Sequence, residues 1–253
     1  ERLLRNRMFR VYDELSKFCP GIKNRFNDFF LLQEEVNQII NAAMYIGAGV
    51  YQLFIPGFPG YLTDICSYDI LALSKARTYG EILTVLEDTP YYDVLAPIAE
   101  GTKDFPPIIT IDHELTKYLY STLLDYIKKD MSGSDREEAE KCIKRRCDMY
   151  NIKICYRLKG LFKMDTQEVL RYTLPFYSRF DRSLMEQVLS IGDNERILPQ
   201  LLKLPYFKDV ADIEGIDIET AVYTSNKRYY EGRLALSQCA SVVMYSLVEL
   251  MMI

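Results

Sequence analysis

Apolar residues recur at alternating spacings of four and three from the start of the chain: Leu4, Met8, Val11, Leu15 and Phe18. That spacing lines one face of an α-helix and predicts an amphipathic helix over residues 3–18, with Arg2, Arg5 and Arg7 largely off the stripe. Cys19-Pro20-Gly21 breaks it. The pattern predicts a second helix from about Phe26 to Ile46, ended near Gly47–Gly49. Residues 55–60, Ile-Pro-Gly-Phe-Pro-Gly, hold no period and read as a loop. Thr78-x-x-Glu81 has the form of a capping box and opens a short helix through Leu86. Residues 101–107 read as a linker, followed by a helix over 115–131 with Leu115, Tyr118, Leu119, Leu123, Tyr126 and Ile127 on one side. After a Ser132-Gly133 turn, Ser134-x-x-Glu137 is expected to cap a helix carrying Cys142, Cys147, Asn151, Ile154 and Leu158, which stops near Gly160. Asp165-x-x-Glu168 starts another, and Leu174-Pro175 ends it. A last helical pair covers about 217–233 and 234 to the end. Only Ile108-Ile109-Thr110-Ile111 looks strand-like; it follows two prolines without an evident partner and is discounted. The expectation is an all-α fold.

The helical pattern repeats. Glu34-x-x-Asn37 lies inside one apolar run and Asp148-x-x-Asn151 inside another. Ile82, Leu83, Leu86 and Pro90-Tyr91 recur 115 positions later as Ile197, Leu198, Leu201 and Pro205-Tyr206. Thr78 has its counterpart in Asp193, also a capping residue. The expectation is that 26–96 and 141–211 superpose, Asn37 on Asn151 and Pro90 on Pro205. An internal repeat turns one globule into stacked units. The units are expected at 1–103, 104–212 and 213–253, the last incomplete. Asn is a poor helix-interior residue because its amide competes for backbone groups. Two at one repeat position point to a structural job, bridging to a neighbouring helix or loop, ahead of direct partner contact.

At 253 residues and 26% charged residues the chain is globular, and its net charge of −5 argues against a general nucleic-acid binder. With no Trp but 20 Tyr and 12 Phe, the core is aliphatic with many ring edges. Cysteines 19, 66, 142, 147, 155 and 239 fit neither a disulfide framework nor zinc-ligand spacing and read as reduced core thiols. The apolar run from Cys239 to Ile253 contains Glu249 and is too short to span a bilayer. The chain starts at Glu1 without a Met and ends within a helical pattern, so it is expected to be a piece of a longer protein.

Chemistry is sparse. The single His, His113, beside Asp112 and Glu114, reads as an exposed helix-start residue rather than a general base. Asp88 with Asp93, and Asp64 with Asp69, are too thin for a magnesium–diphosphate site, and no phosphate-cradling glycine loop is present. No cofactor or metal is expected. Lys141, Lys144, Arg145, Arg146, Arg157, Lys159 and Lys163 form a basic stretch able to face an acidic partner, or a solvated face balanced by Glu137, Glu138 and Glu140.

Asp148-Met-Tyr-Asn151-Ile152-Lys153, followed by Arg157-x-Lys159-Gly160, resembles the acidic-x-x-Asn-Leu/Ile-Lys signature of the C subunit of the V/A-type ATPases, called the d subunit in eukaryotes. Leu174-Pro175 and Phe58-Pro59-Gly60 resemble the family's Leu-Pro-Gly loop; Thr89-Pro90-Tyr91 and Leu204-Pro205-Tyr206 resemble its Thr-Pro-Tyr helix endings. The first copy departs, with Gln38 in place of the Lys and no Arg-x-Lys after it. The resemblance covers nearly the whole chain and implies a pseudo-threefold funnel of three related all-α units. The family's own beginning would precede Glu1 and a third acid-x-x-Asn would follow Ile253. It further implies a non-catalytic rotor part, cytoplasmic and touching the membrane only indirectly. Its partners would be the D and F subunits of the central stalk and the membrane proteolipid ring. Outside the resemblance, two readings stay open: a helical-repeat adaptor that binds a protein partner, and an all-α enzyme with a metal–diphosphate site.

Overall fold

A computed structural model describes residues 2–17, 25–50, 63–99, 105–191 and 194–252. Cys19, the Ile55–Gly60 loop and Asp193 lie outside the described residues. The fold is all-α: twelve α-helices and no strand among the described residues. No helix of those residues is long and apolar enough to cross a membrane. The chain divides into two compact units, 1–123 and 124–253, with the division inside one long helix.

The first unit opens with α1 (Arg2–Lys17), a 3₁₀ turn (Arg25–Asp28) and α2 (Phe29–Gly47). α2 turns Phe29, Phe30, Val36, Ile39, Ala42 and Ala43 inward at the 3.6 period. Tyr12 of α1 meets Phe29 edge-on, ring centroids 5.9 Å apart. α2 ends where Gly49 takes φ 68° and the Val50 N–H reaches back to the Tyr45 carbonyl at 2.9 Å. That left-handed closing residue suits glycine because it carries no Cβ. Three short helices follow: α3 (Ile70–Lys75), α4 (Tyr79–Leu86) and α5 (Pro90–Ala99). The Thr78 hydroxyl accepts from Glu81 N–H at 3.2 Å, and the Glu81 carboxylate accepts in return from Arg77 N–H at 2.7 Å. The Tyr79 hydroxyl donates to the Leu95 carbonyl at 2.9 Å, tying α4 to α5.

The strand-like Ile108–Ile111 is the first turn of α6 (Ile108–Asp130). Pro107 opens it, its carbonyl accepting from Thr110 and Ile111. Ile111 and Leu115, one turn apart, are both fully buried, so the buried stripe begins before residue 115. The same early start corrects His113: it sits in the second turn of α6, only 5% exposed.

The second unit holds the end of α6, then α7 (Gly133–Ile154), α8 (Thr166–Arg171), α9 (Arg182–Leu189), α10 (Asn194–Leu202), α11 (Ile218–Leu236) and α12 (Ala240–Met252). Ser132, not Ser134, stands at the start of α7, in extended backbone and without a side-chain cap bond. Gly160 does not stop the helix. Residues Cys155–Leu161 continue α7 as a widened turn, with Phe162 N–H bonded to the Arg157 carbonyl five residues back at 3.1 Å. Cys155 and Leu158 carry the buried face through that turn. α8, α9 and α11 each begin at an aspartate, Asp165, Asp181 and Asp217, whose carboxylate accepts a backbone N–H of the first turn. Pro90 stands at the first position of α5; Pro205 falls in the irregular segment after α10.

Candidate functional site

Asp148 sits four turns into α7, fully buried. Its carboxylate accepts from the backbone N–H groups of Ser178, Arg179 and Phe180, at 3.1, 2.8 and 3.3 Å for Oδ2. It also accepts the hydroxyl of Tyr206. The loop between α8 and α9 is thus hung on one carboxylate, and Tyr206 is tied to the same point. Burial raises the Asp148 carboxyl above its ordinary value, against the lowering effect of Tyr206 and the three amides. One turn on, Asn151 is also fully buried. Its Nδ2 donates to the Leu174 carbonyl at 3.1 Å and its Oδ1 accepts from Leu174 N–H at 2.7 Å. Both backbone groups of Leu174 are satisfied by one side chain, the pairing a buried loop residue needs.

In the first unit the carboxylate of Glu35 also holds a backbone N–H and a tyrosine hydroxyl. Glu35 Oε1 accepts from Ser67 N–H at 2.5 Å; Oε2 accepts the Tyr91 hydroxyl at 2.6 Å. Its carbonyl takes the Tyr68 hydroxyl at 2.8 Å. Gln38, three positions on, is buried, whereas Asn37 is half-buried. Glu34 is buried beside it at 2% exposure. Tyr91 and Tyr206 are both raised by burial and by their carboxylates, which keeps the hydroxyls protonated as donors. Burial, helped by Glu35 and Glu34, pushes the Cys66 thiol up to about 12.

The basic stretch disperses. Lys144 pairs with Glu140 at 3.4 Å, Arg157 with Glu219 at 2.6 Å and Lys153 with the same Glu219 at 3.6 Å. Arg146 reaches Glu249 of α12 at 3.2 Å. Lys159 is half-buried. Lys141 and Arg145 instead line a pocket of about 630 Å³ with Tyr206 and Tyr229. The Arg145 guanidinium carbon stands 4.8 Å from the Tyr206 ring and 4.3 Å from the Tyr229 ring. Its Nη2 donates to the Ser225 hydroxyl at 2.8 Å and carbonyl at 3.1 Å. In the sequence Arg145 stands only as one charge among seven and Tyr206 only as the repeat partner of Tyr91; Tyr229 and Ser225 carried no signal of their own. Among the described residues no three His, Cys, Asp or Glu gather as a metal site, and Cys66, Cys142, Cys147, Cys155 and Cys239 are unpaired thiols.

Several archaeal proteins are similar to this chain in sequence. The C subunit of the A-type ATP synthase of Methanosarcina acetivorans is 24% identical over 235 residues, 91% of this chain and 62% of that protein. The C subunit of the Thermococcus kodakarensis A-type ATP synthase is 28% identical over 210 residues, 81% of this chain and 53% of its own length. That of Pyrococcus horikoshii is 30% identical over 169 residues, 65% and 44%. The chain therefore spans roughly half of these archaeal proteins. No solved structure matches. The family model described as ATP synthase (C/AC39) subunit matches residues 1–252, and the chain belongs to that family.

Proposed function

We propose that the chain is a non-catalytic rotor part of a V/A-type ATPase, coupling the D and F subunits of the central stalk to the membrane proteolipid ring and passing torque during ion transport. The observation that carries the reading is the family match from residue 1 to 252. The part sits on the cytoplasmic side and meets the membrane only through the ring. A torque-bearing part must not let its loops slide on its helices. The carboxylates of Glu35 and Asp148 support that requirement, because charge-assisted bonds to a buried acid are short and strong. They also support a repeat in which Glu35-x-x-Gln38 answers Asp148-x-x-Asn151, with units at 1–103, 104–212 and 213–253. A pull-down of the full-length protein with the D–F pair and with detergent-extracted ring tests it. Retention of both is expected. Retention of neither, with turnover of a small substrate, would reject the rotor role.

A further inference from the structure

We propose that the Arg145 pocket of the second unit binds a carboxylate-bearing, acidic segment of a partner protein. The pocket is lined by six cations: Lys141, Arg145, Arg179, Lys208, Arg228 and Arg233. Two carboxylates, Glu138 and Asp209, line it as well, and each is already engaged. Glu138 holds Arg233 at 2.9 Å and Asp209 holds Arg228 at 3.6 Å. Lys141 leans on Glu137 at 3.7 Å, both ends well exposed. Arg145, Arg179 and Lys208 have no carboxylate partner among the described residues. For Arg145 that matters, because it is 8% exposed and its Nε makes no hydrogen bond. Ser225 and two tyrosine faces offset part of the cost of burying a guanidinium, and the Asp148 carboxylate one turn on adds an attraction at a distance without forming an ion pair with it.

On the alignment that pairs Glu35 with Asp148, the first unit carries no cation at the position of Arg145. Counting three positions back from the buried acid gives Arg145 before Asp148 and Leu32 before Glu35. There Tyr91 and Tyr118 meet directly, edge-on at 5.5 Å. In the second unit Arg145 stands over both Tyr206 and Tyr229. The first unit's own pocket at Tyr118, about 760 Å³, is lined by Asp93, Glu114 and one cation, Lys117, and is not basic. Arg145 is therefore not a demand of the architecture, and its charge is available for a ligand.

Carboxylate is favoured over phosphate. The backbone N–H groups of Ser178, Arg179 and Phe180, which would cradle a phosphate, are spent on Asp148. With Nη2 spent on Ser225, what remains of Arg145 is its Nη1 and Nε hydrogens, able to donate to a carboxylate oxygen, above apolar area from Tyr206, Tyr229, Pro205 and Val210 that suits the flanking residues of a peptide. The site stands on the pocket's geometry and not on the rotor reading, so either can fail alone.

The test titrates the purified chain with a short Asp/Glu peptide, its Asn/Gln counterpart and pyrophosphate, following heat and the Arg145 side-chain Nε–H resonance. Expected is binding of the acidic peptide only, weakened by salt, with a shift of the Arg145 resonance. Charge reversal of the exposed pair, Lys208→Glu with Arg228→Glu, should weaken it about tenfold or more, and Lys159→Glu, outside the pocket, should not. Arg145→Gln should abolish binding, with its thermal melt showing whether the fold is kept. Unchanged affinity in the exposed double variant, or an unmoved Arg145 resonance, overturns the site. Tight pyrophosphate binding without peptide binding overturns the ligand class.

Discussion

Tyr206 donates its hydroxyl to the carboxylate of Asp148, a residue 58 positions earlier in the chain. Tyr91 does the same to Glu35 across 56 positions. In each unit a tyrosine, Tyr91 in the first turn of α5 and Tyr206 just after α10, is pinned to an acid in the interior of a long helix. The acid accepts loop amides as well, so one carboxylate fixes two otherwise independent segments. Coupling of that kind raises the cost of local opening, since freeing either segment leaves a buried charge short of donors.

Removing the hydroxyl alone tests this bond. Tyr206→Phe keeps the ring under Arg145 and deletes one charge-assisted hydrogen bond to Asp148. The expected loss is about 1–2 kcal/mol. Tyr91→Phe should lose a similar amount, because Glu35 holds it in the same way. Urea unfolding midpoints measure both. A midpoint unmoved by either change would mean that the hydroxyl bonds do not fasten the segments.

Asp148→Asn tests the acid with pH as a second axis. The amide turns donor hydrogens toward a set of donors, so a loss of about 2–3 kcal/mol is expected. Burial raises the native carboxyl above its unfolded value near 3.8. A raised pKa means the native state holds the proton more tightly than the unfolded chain does. The wild type's advantage over Asp148→Asn should then be widest below 3.8 and narrow as pH rises through the native value. Unfolding curves of both proteins over that range decide it, and a gap that widens with pH would reverse the sign of the burial argument.

Asn151→Leu keeps the branched shape of the side chain and strands both backbone groups of Leu174. The expected cost is about 1–3 kcal/mol, with faster hydrogen exchange of the Leu174 amide than of the α7 interior. An exchange rate unchanged at Leu174 would show that water or a neighbour replaces the Asn without loss.

Much of this was legible, and the exceptions have physical reasons. Asp148 and Asn151 stand out in the sequence because neither belongs in an apolar helix face unless something pairs it. The first copy is ambiguous by one residue. Glu34 and Glu35 are both acids, and Asn37 and Gln38 both amides, so spacing alone cannot say which member of each pair faces the loop. A helix turns 100° per residue, and only packing settles that rotation: Gln38 is buried and Asn37 is half-buried. His113 was misread because the β-branched Ile108–Ile111 obscures the true start of α6. α9 escaped notice because its apolar positions, Met185, Val188 and Leu189, are too few for a periodicity signal. The pocket around Arg145 was invisible for another reason. It joins α7 to residues 178–233, and long-range closeness leaves no mark on local patterning.

The ion pair of Arg146 and Glu249 makes the sharpest stability prediction. Glu249 is 1% exposed, neither carboxylate oxygen makes a hydrogen bond, and Arg146 at 3.2 Å supplies its counter-charge. Arg146→Met should therefore cost about 3–5 kcal/mol, because it leaves a buried carboxylate facing no cation. Glu249→Met in the same chain should recover most of that loss, since two methionines fill the space without charge. A double-mutant cycle on unfolding free energies reads the coupling directly. A coupling energy near zero would mean that the Arg146–Glu249 pair adds nothing beyond the packing of its two side chains.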